Sequence, residues 1–242
     1  MTAERRGLLY QLIGILVAFG LLVAWLLTAE LSDTERQTLD PSTIWGYTVE
    51  HLQITVLAAL VVLVIAIPLG ILLTRPGIRK AAPTVRAIAN VGQAAPAIGL
   101  VVLLAFWLGY GPMTAVVALV LYAILPVLSN TIIGLQQVDQ RLVEAGRGIG
   151  MSQMAVLFKV ELPLAVPVML SGIRTALVLL VGTATLATFI NGGGLGILIT
   201  TGVNLSLNAV LVAGSLLVAL LAVSVDWIGR VVETAARPKG LS

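Results

Sequence analysis

Six apolar stretches, each about as long as a bilayer core is thick, limit what this chain can become. A helix rises about 1.5 Å per residue, so about 20 apolar residues cross a hydrocarbon core of about 30 Å. Such stretches cover about residues 8–29, 52–74, 87–108, 113–135, 164–190 and 209–228. Hydrocarbon offers a backbone amide no water, so spans of this length are read as helices. The expected fold is therefore all-α: a membrane bundle of about six transmembrane helices.

Composition agrees. The chain has 242 residues, 59% hydrophobic and 10% charged, with a mean hydropathy of +1.07. Too few charges remain to clothe a soluble domain of this length. With no cysteine and one histidine, a disulfide framework, thiolate metal sites, a Cys nucleophile and a His-clustered metal site are excluded. No catalytic residue and no metal site are expected. The pI near 9.6 comes from cations in short loops beside the spans, which fits a membrane flank rather than a nucleic-acid face.

Those cations also set orientation. Arg5 and Arg6 precede the first span; Arg75, Arg79, Lys80 and Arg86 follow the second. Arg141, Arg147 and Lys159 follow the fourth, and Arg230, Arg237 and Lys239 the sixth. The opposite side holds only Arg36, among Glu30, Asp33, Glu35 and Asp40. By the positive-inside rule both termini are expected in the cytoplasm. The first stretch is longer than a leader's apolar region and no small-x-small site follows it, so it is read as a retained anchor. One domain is expected over 1–242: a first span and outer loop (1–48), a core (49–230) and a cytoplasmic tail (231–242).

The longest cytoplasmic loop, about residues 136–163, reads as two short helices. Asp139 is placed to cap the first, which Gly146, Gly148 and Gly150 are expected to end. Ser152 is placed to cap a second, carrying Met154, Leu157, Phe158 and Glu161. Pro163 suits the first turn of the next span. A compact element of this kind suits docking to a cytosolic partner; it would serve equally as a rigid connector.

At this loop the sequence resembles a known family. Permeases of binding-protein-dependent ABC importers carry the pattern Glu-Ala-Ala, three residues, Gly, nine residues, Ile, one residue, Leu-Pro. Here stand Glu144-Ala145-Gly146, Gly150 and Val160-Glu161-Leu162-Pro163 at the same spacing, with Gly146 for the second Ala and Val160 for Ile. The likeness extends over about residues 48–229, through Asn90-Val91-Gly92-Gln93-Ala94-Ala95-Pro96, Leu121–Pro126 with Asn130-Thr131, Gly172–Ala176, Gly182–Ala187 and Gly192-Gly193-Gly194-Leu195-Gly196. These segments resemble the glycine betaine, carnitine and choline permeases. Amino-acid permeases share parts of the patterns and stand as the alternative.

The resemblance implies a multi-pass permease subunit in a bacterial cytoplasmic (inner) membrane, importing an osmoprotectant. It implies a second permease subunit, identical or paralogous, an extracytoplasmic solute-binding protein and cytosolic ABC ATPase subunits. Glu144, Ala145, Gly146, Gly150, Leu162 and Pro163 would couple to the ATPase. Gly192, Gly193, Gly194 and Gly196 would form an outer loop or gate. The chain lacks a phosphate-cradling Gly-rich Lys-Ser/Thr loop, so it is not expected to be an enzyme. ATP and Mg would belong to the partner, with no cofactor on this chain.

Polar residues inside the spans have two readings. Gln93, Pro96, Asn130, Thr183 and Thr185 either line the translocation path or serve interhelical packing and hydrogen bonding. Pro96 frees the carbonyl four residues earlier, which favours the path for Gln93 and Pro96. Arg174 is expected to snorkel, Asp226 to lie at the interface and His51 to be a solvated boundary residue. An ion-driven secondary transporter is the weaker rival, because the spans are nearly free of carboxylates.

Overall fold

The computed structural model describes residues 3–236. Arg237, Lys239 and the rest of the expected tail beyond Ala236 lie outside the described residues. Eleven α-helices and no strand occur among the described residues. In chain order they are α1 (Ala3–Thr28), α2 (Asp33–Thr38), α3 (Pro41–Leu72), α4 (Ala82–Ala94), α5 (Ala97–Leu108) and α6 (Pro112–Gln136). Then come α7 (Gln140–Gly148), α8 (Gln153–Val156), α9 (Leu162–Thr183), α10 (Gly196–Asn204) and α11 (Asn208–Ala236). Among the described residues, five helical stretches are long and apolar enough to cross a membrane, and counting the bent pair α4–α5 as one crossing gives six.

That pair covers the span expected over 87–108, which starts earlier and is broken. Between α4 and α5 the chain turns by 96°. Proline's ring disfavours α geometry in the residue before it, and Ala95 takes an extended backbone of φ −67°, ψ 145°. The helix restarts at Ala97 with Pro96 in the cap position. At 12 residues, α5 is about 18 Å long, too short to cross alone.

The boundaries drawn at 48/49 and 230/231 also fall inside helices. α3 starts earlier than expected because Asp40 accepts a hydrogen bond from the Ser42 amide at 2.9 Å and Pro41 opens the first turn. α11 continues to Ala236. The stretch Gln153–Ile190 is a single helical run. It passes from α8 through a π-turn at Leu157–Glu161 into α9, and from α9 into a 3₁₀ segment at Ala184–Ile190. The second loop helix is thus continuous with the fifth span.

α6 is the centre of the bundle. Its buried residues include Ala115, Ala118, Ala123, Val127, Thr131, Ile132 and Gly134. α3, α4, α5 and α9 pack around it. Among membrane helices no hydrophobic force draws like to like, so small residues that admit close approach decide the contacts. A Cβ on Gly172 of α9 would lie 2.5 Å from Asn130 Cβ and 2.7 Å from the Pro126 carbonyl oxygen of α6. A Cβ on Gly134 of α6 would lie 3.0 Å from the Ala165 carbonyl oxygen.

On the far side of α9 sit α11 and α10, and α1 lies outermost against α11. Two hydrogen bonds fix α1: Trp227 Nε1 donates to the Leu8 carbonyl at 2.9 Å, and Gln11 Nε2 donates to Asp226 Oδ2 at 3.0 Å. Arg174 is ion-paired with α11. It pairs with Glu233 at 2.9 Å and with Asp226 at 3.5 Å, and Asp226 also holds Arg230 at 3.0 Å. A partly buried charge is stabilised by opposite charge on a neighbouring helix.

The α6–α9 contact yields a direct expectation. Gly172→Ala should destabilise the protein by about 1–3 kcal/mol, because the Pro126 carbonyl and the root of the Asn130 side chain block the new methyl and neither can swing aside. Thermal unfolding in detergent measures this. Gly20→Ala, where a Cβ meets nothing within 4 Å, should leave the midpoint unchanged or raised.

Candidate functional site

The chain presents two candidate regions at opposite ends of α3. One is the 136–163 loop; the other is the glycine-rich turn after α9.

In the loop, both local caps form. The Asp139 carboxylate accepts from the Arg141 amide at 2.9 Å, and the Ser152 hydroxyl accepts from the Ala155 amide at 3.2 Å. The glycines divide their work differently from the expectation. Gly146 and Gly148 lie within α7; only Gly150 takes a left-handed backbone, φ +88°. There the Gly150 amide donates to the Arg147 carbonyl at 2.9 Å and the Met151 amide to the Gly146 carbonyl at 3.0 Å, closing the helix end. Gly146 is buried against α8; a Cβ there would meet Val156 Cγ2 at 3.4 Å, an ordinary contact. Alanine would therefore fit the same position, which explains why either small residue serves the pattern.

Beneath the loop lies an apolar cluster of Leu135, Val138, Val143, Val156, Leu157, Ala165 and Met169, with Ile67 and Ile71 of α3 packed against it. Above it Leu142, Ile149, Met154 and Phe158 are exposed, Ile149 at 77%. Glu144, Ala145, Gly150 and Pro163 are exposed with them, and Leu162 is half-buried. An apolar face rimmed by charge on a rigid pedestal is the form of a docking surface.

Sequence reasoning missed one element of this region. Arg75, just past α3, places Nη2 2.6 Å from Glu161 Oε2. Glu161 is otherwise buried, at 8% exposure. An acidic residue between apolar neighbours in the motif was the available signal; its partner lies 86 positions away.

At the other end the turn is shaped by three residues of positive φ: Asn191 (55°), Gly193 (82°) and Gly194 (88°). The Gly194 amide donates to Glu50 Oε2 of α3 at 3.0 Å. A Cβ on Gly193 would lie 2.6 Å from that same oxygen, and one on Gly194 3.1 Å from His51 Nδ1. Side chains are thus excluded where the turn meets α3. Gly192, Gly194 and Gly196 are buried and Gly193 half-buried. The turn then folds back through α10 onto α11 and the 3₁₀ segment.

His51 corrects its expectation. It is wholly buried, with Nε2 2.9 Å from the Val181 carbonyl of α9, while Nδ1 has no partner. Beside this turn, α2 is tied to the start of α11: Glu35 Oε1 accepts from the Ala209 amide at 3.2 Å. The Ser32 backbone amide, then its hydroxyl, hold the Glu35 carboxyl below the usual glutamate value.

The intramembrane polar residues are dispersed. Gln93 is half-buried near the α4–α5 break, and Pro96 is exposed at it. Asn130 Nδ2 donates to the Pro126 carbonyl at 2.9 Å and faces Gly172 of α9. The Thr183 hydroxyl donates to the Leu179 carbonyl at 2.7 Å and that of Thr185 to Gly182 at 2.8 Å. These three satisfy themselves on their own helices.

Known proteins share this architecture. Residues 66–238 match the family model described as the binding-protein-dependent transport system inner membrane component. Over 192 residues the chain is 41% identical to the glycine betaine/carnitine/choline transport system permease protein OpuCB of Bacillus subtilis (strain 168), covering 79% of this chain and 88% of that one. Over 221 residues it is 38% identical to the osmoprotectant import permease protein OsmW of Salmonella typhimurium, covering 86% and 99%. Among solved structures, a chain of the MetNI methionine ABC transporter in an inward-facing conformation aligns with a TM-score of 0.70 and 26% identity, covering 83% of this chain and all of that one, 100%.

The glycine turn offers a test of its own. Replacing Glu50 by Ala removes the acceptor of the Gly194 amide. Hydrogen bonds to charged groups contribute about 1.5–3 kcal/mol, so exchange of that amide should quicken by roughly tenfold or more. Hydrogen-exchange mass spectrometry of the peptide around Gly194 reads this directly; an unchanged rate would mean the contact holds nothing.

Proposed function

The chain belongs to the family of binding-protein-dependent transport system inner membrane components, and from that premise we propose that it is the permease subunit through which an ATP-driven importer admits a small quaternary-ammonium osmoprotectant. It is a multi-pass membrane protein with an all-α fold of the ABC importer permease kind. The solute class rests on the relatives: at about four residues in ten identical, OpuCB is named for glycine betaine, carnitine and choline.

In this reading both termini and the 136–163 loop lie in the cytoplasm. The single observation that carries the coupling role is the exposed apolar face of Leu142, Ile149, Met154 and Phe158 on a packed pedestal, at the loop whose spacing matches the family motif. A cytosolic ATPase grips this face, holding ATP and Mg itself. Glu144, Ala145, Gly146, Gly150, Leu162 and Pro163 form or shape the gripped surface. When the ATPases of a permease pair close, the two loops are drawn together and the path alternates its access. Gln93 and Pro96 at the α4–α5 break line that path, with Asn130, Thr183 and Thr185 beside it. Gly192, Gly193, Gly194 and Gly196 close it on the far side, where a separate binding protein delivers the solute.

A trimethylammonium group is held by aromatic faces. The four tryptophans lie on four different helices: Trp25 on α1, Trp45 on α3, Trp107 on α5 and Trp227 on α11. In this reading tight recognition belongs to the binding protein that the family pattern implies, and this chain supplies a weak passage. The likeness to a methionine transporter chain favours an amino acid as the second reading.

Proteoliposomes holding the permease, its ATPase and its binding protein test this. ATP-dependent uptake of labelled glycine betaine, choline or carnitine is expected. Gly150→Leu, forcing a bulky residue into a left-handed backbone, should lower uptake by roughly tenfold with little loss of membrane insertion. Uptake of methionine alone would move the solute class to amino acids. Full uptake and normal ATPase binding by the Gly150 variant would count against the coupling assignment.

A further inference from the structure

α3 connects the two candidate regions. Its Glu50 holds the glycine turn, and Arg75, just beyond its end, holds Glu161 in the loop. From Glu50 to the end of α3 at Leu72 is 22 positions, about 33 Å of helix. Among the described residues, no other ion pair joins the loop to a different span.

The Arg75 end is built, not incidental. The Thr74 hydroxyl donates to the Ile71 carbonyl at 2.7 Å. Arg75 Nε donates to that carbonyl at 3.3 Å, and Nη2 donates to the Thr74 hydroxyl at 3.0 Å. The guanidinium is thereby folded against the end of α3 and aimed at Glu161. On the other side, Glu161 closes the π-turn Leu157–Glu161. One extra residue in a turn rotates the remainder of the helix by about 100°, and such turns recur at functional sites. Glu161 also fills the one place in the Ile-x-Leu-Pro part of the motif that the family pattern leaves open.

The apolar cluster alone does not fix register here. Contacts of Ile67 and Ile71 with this cluster are non-directional and tolerate sliding. A charge pair with one partner nearly buried does not: displacement strands a carboxylate whose side chain is only 10% exposed. We propose that Arg75–Glu161 is a positioning link that makes the loop and α3 one moving body, so that displacement of the loop by the ATPase reaches the glycine turn held by Glu50. This rests on the permease reading above.

The test uses the complete transporter in proteoliposomes, with three readouts: ATPase co-purification, ATP hydrolysis, and solute taken up per ATP. Glu161→Gln and Arg75→Gln should co-purify with the ATPase as the wild type does. Their uptake per ATP should fall by roughly threefold to tenfold, within the range for residues that modulate coupling. The reversed pair, Arg75→Glu with Glu161→Arg, should recover most of it. Single variants that bind the ATPase and keep wild-type uptake per ATP would overturn the link. So would a reversed pair that binds the ATPase and recovers nothing. Loss of ATPase binding in the single variants would also overturn it, reducing the pair to a support for the docking face. A wild-type chain that fails to bind an ATPase would remove the permease reading itself, a result distinct from the other three.

Discussion

Hydrocarbon provides no hydrogen-bond partner for a backbone amide, and the rest of this structure depends on that deficit. Each crossing must satisfy its amides internally, so the chain is helical wherever it passes through the apolar layer. Helices so formed gain little from apolar contact with one another, because lipid is as apolar as leucine. They associate where small residues let backbones approach. The crowded meeting of Gly172 with Asn130 and Pro126, and of Gly134 with Ala165, puts α6 at the centre and α9 beside it. Of the departures from regular helix, those at Pro96 and at Gly192–Gly194 are the ones that border the proposed path.

The same deficit governs charge. Few ionisable groups occur along the spans, and three of the contacts they make reach across to other elements. Arg174 meets Asp226 and Glu233 of α11, Glu50 meets the Gly194 amide, and Glu161 meets Arg75. Each contact joins elements distant in sequence, so each fixes where one helix ends relative to another. Close approach at small residues holds the bundle together; these few polar contacts set its register. A transporter needs both properties, since its helices must move without losing their partners.

Much of this was legible in the sequence, and the misses have particular causes. The span count came from length and hydropathy, and the Asp139 and Ser152 caps from local chemistry within three residues. The break at Pro96 was hidden because apolarity continues on both sides of it; a hydropathy window does not register one missing amide. His51 looked solvated because Glu50 stands next to it and the second span was drawn from residue 52. The helix in fact begins at Pro41, which carries His51 three turns inward and against Val181. Gly146 and Gly148 looked like terminators, but only Gly150 has the backbone that ends α7. The Arg75–Glu161 pair spans 86 positions, and no periodicity or propensity reaches that far.

Transport by this chain turns on whether the exposed face of the 136–163 loop is gripped by an ATP-binding subunit. The chain contains no cysteine, so a single one placed by Ile149→Cys, at a position 77% exposed at the end of α7, is a unique handle. The variant would first be confirmed to transport, then treated in its native membrane with a short thiol-reactive cross-linker and its adducts identified by mass spectrometry. The expected result is one dominant adduct with an ATP-binding subunit. An actively transporting Ile149→Cys variant that yields no such adduct, while its thiol reacts freely with the linker, would contradict the proposed grip.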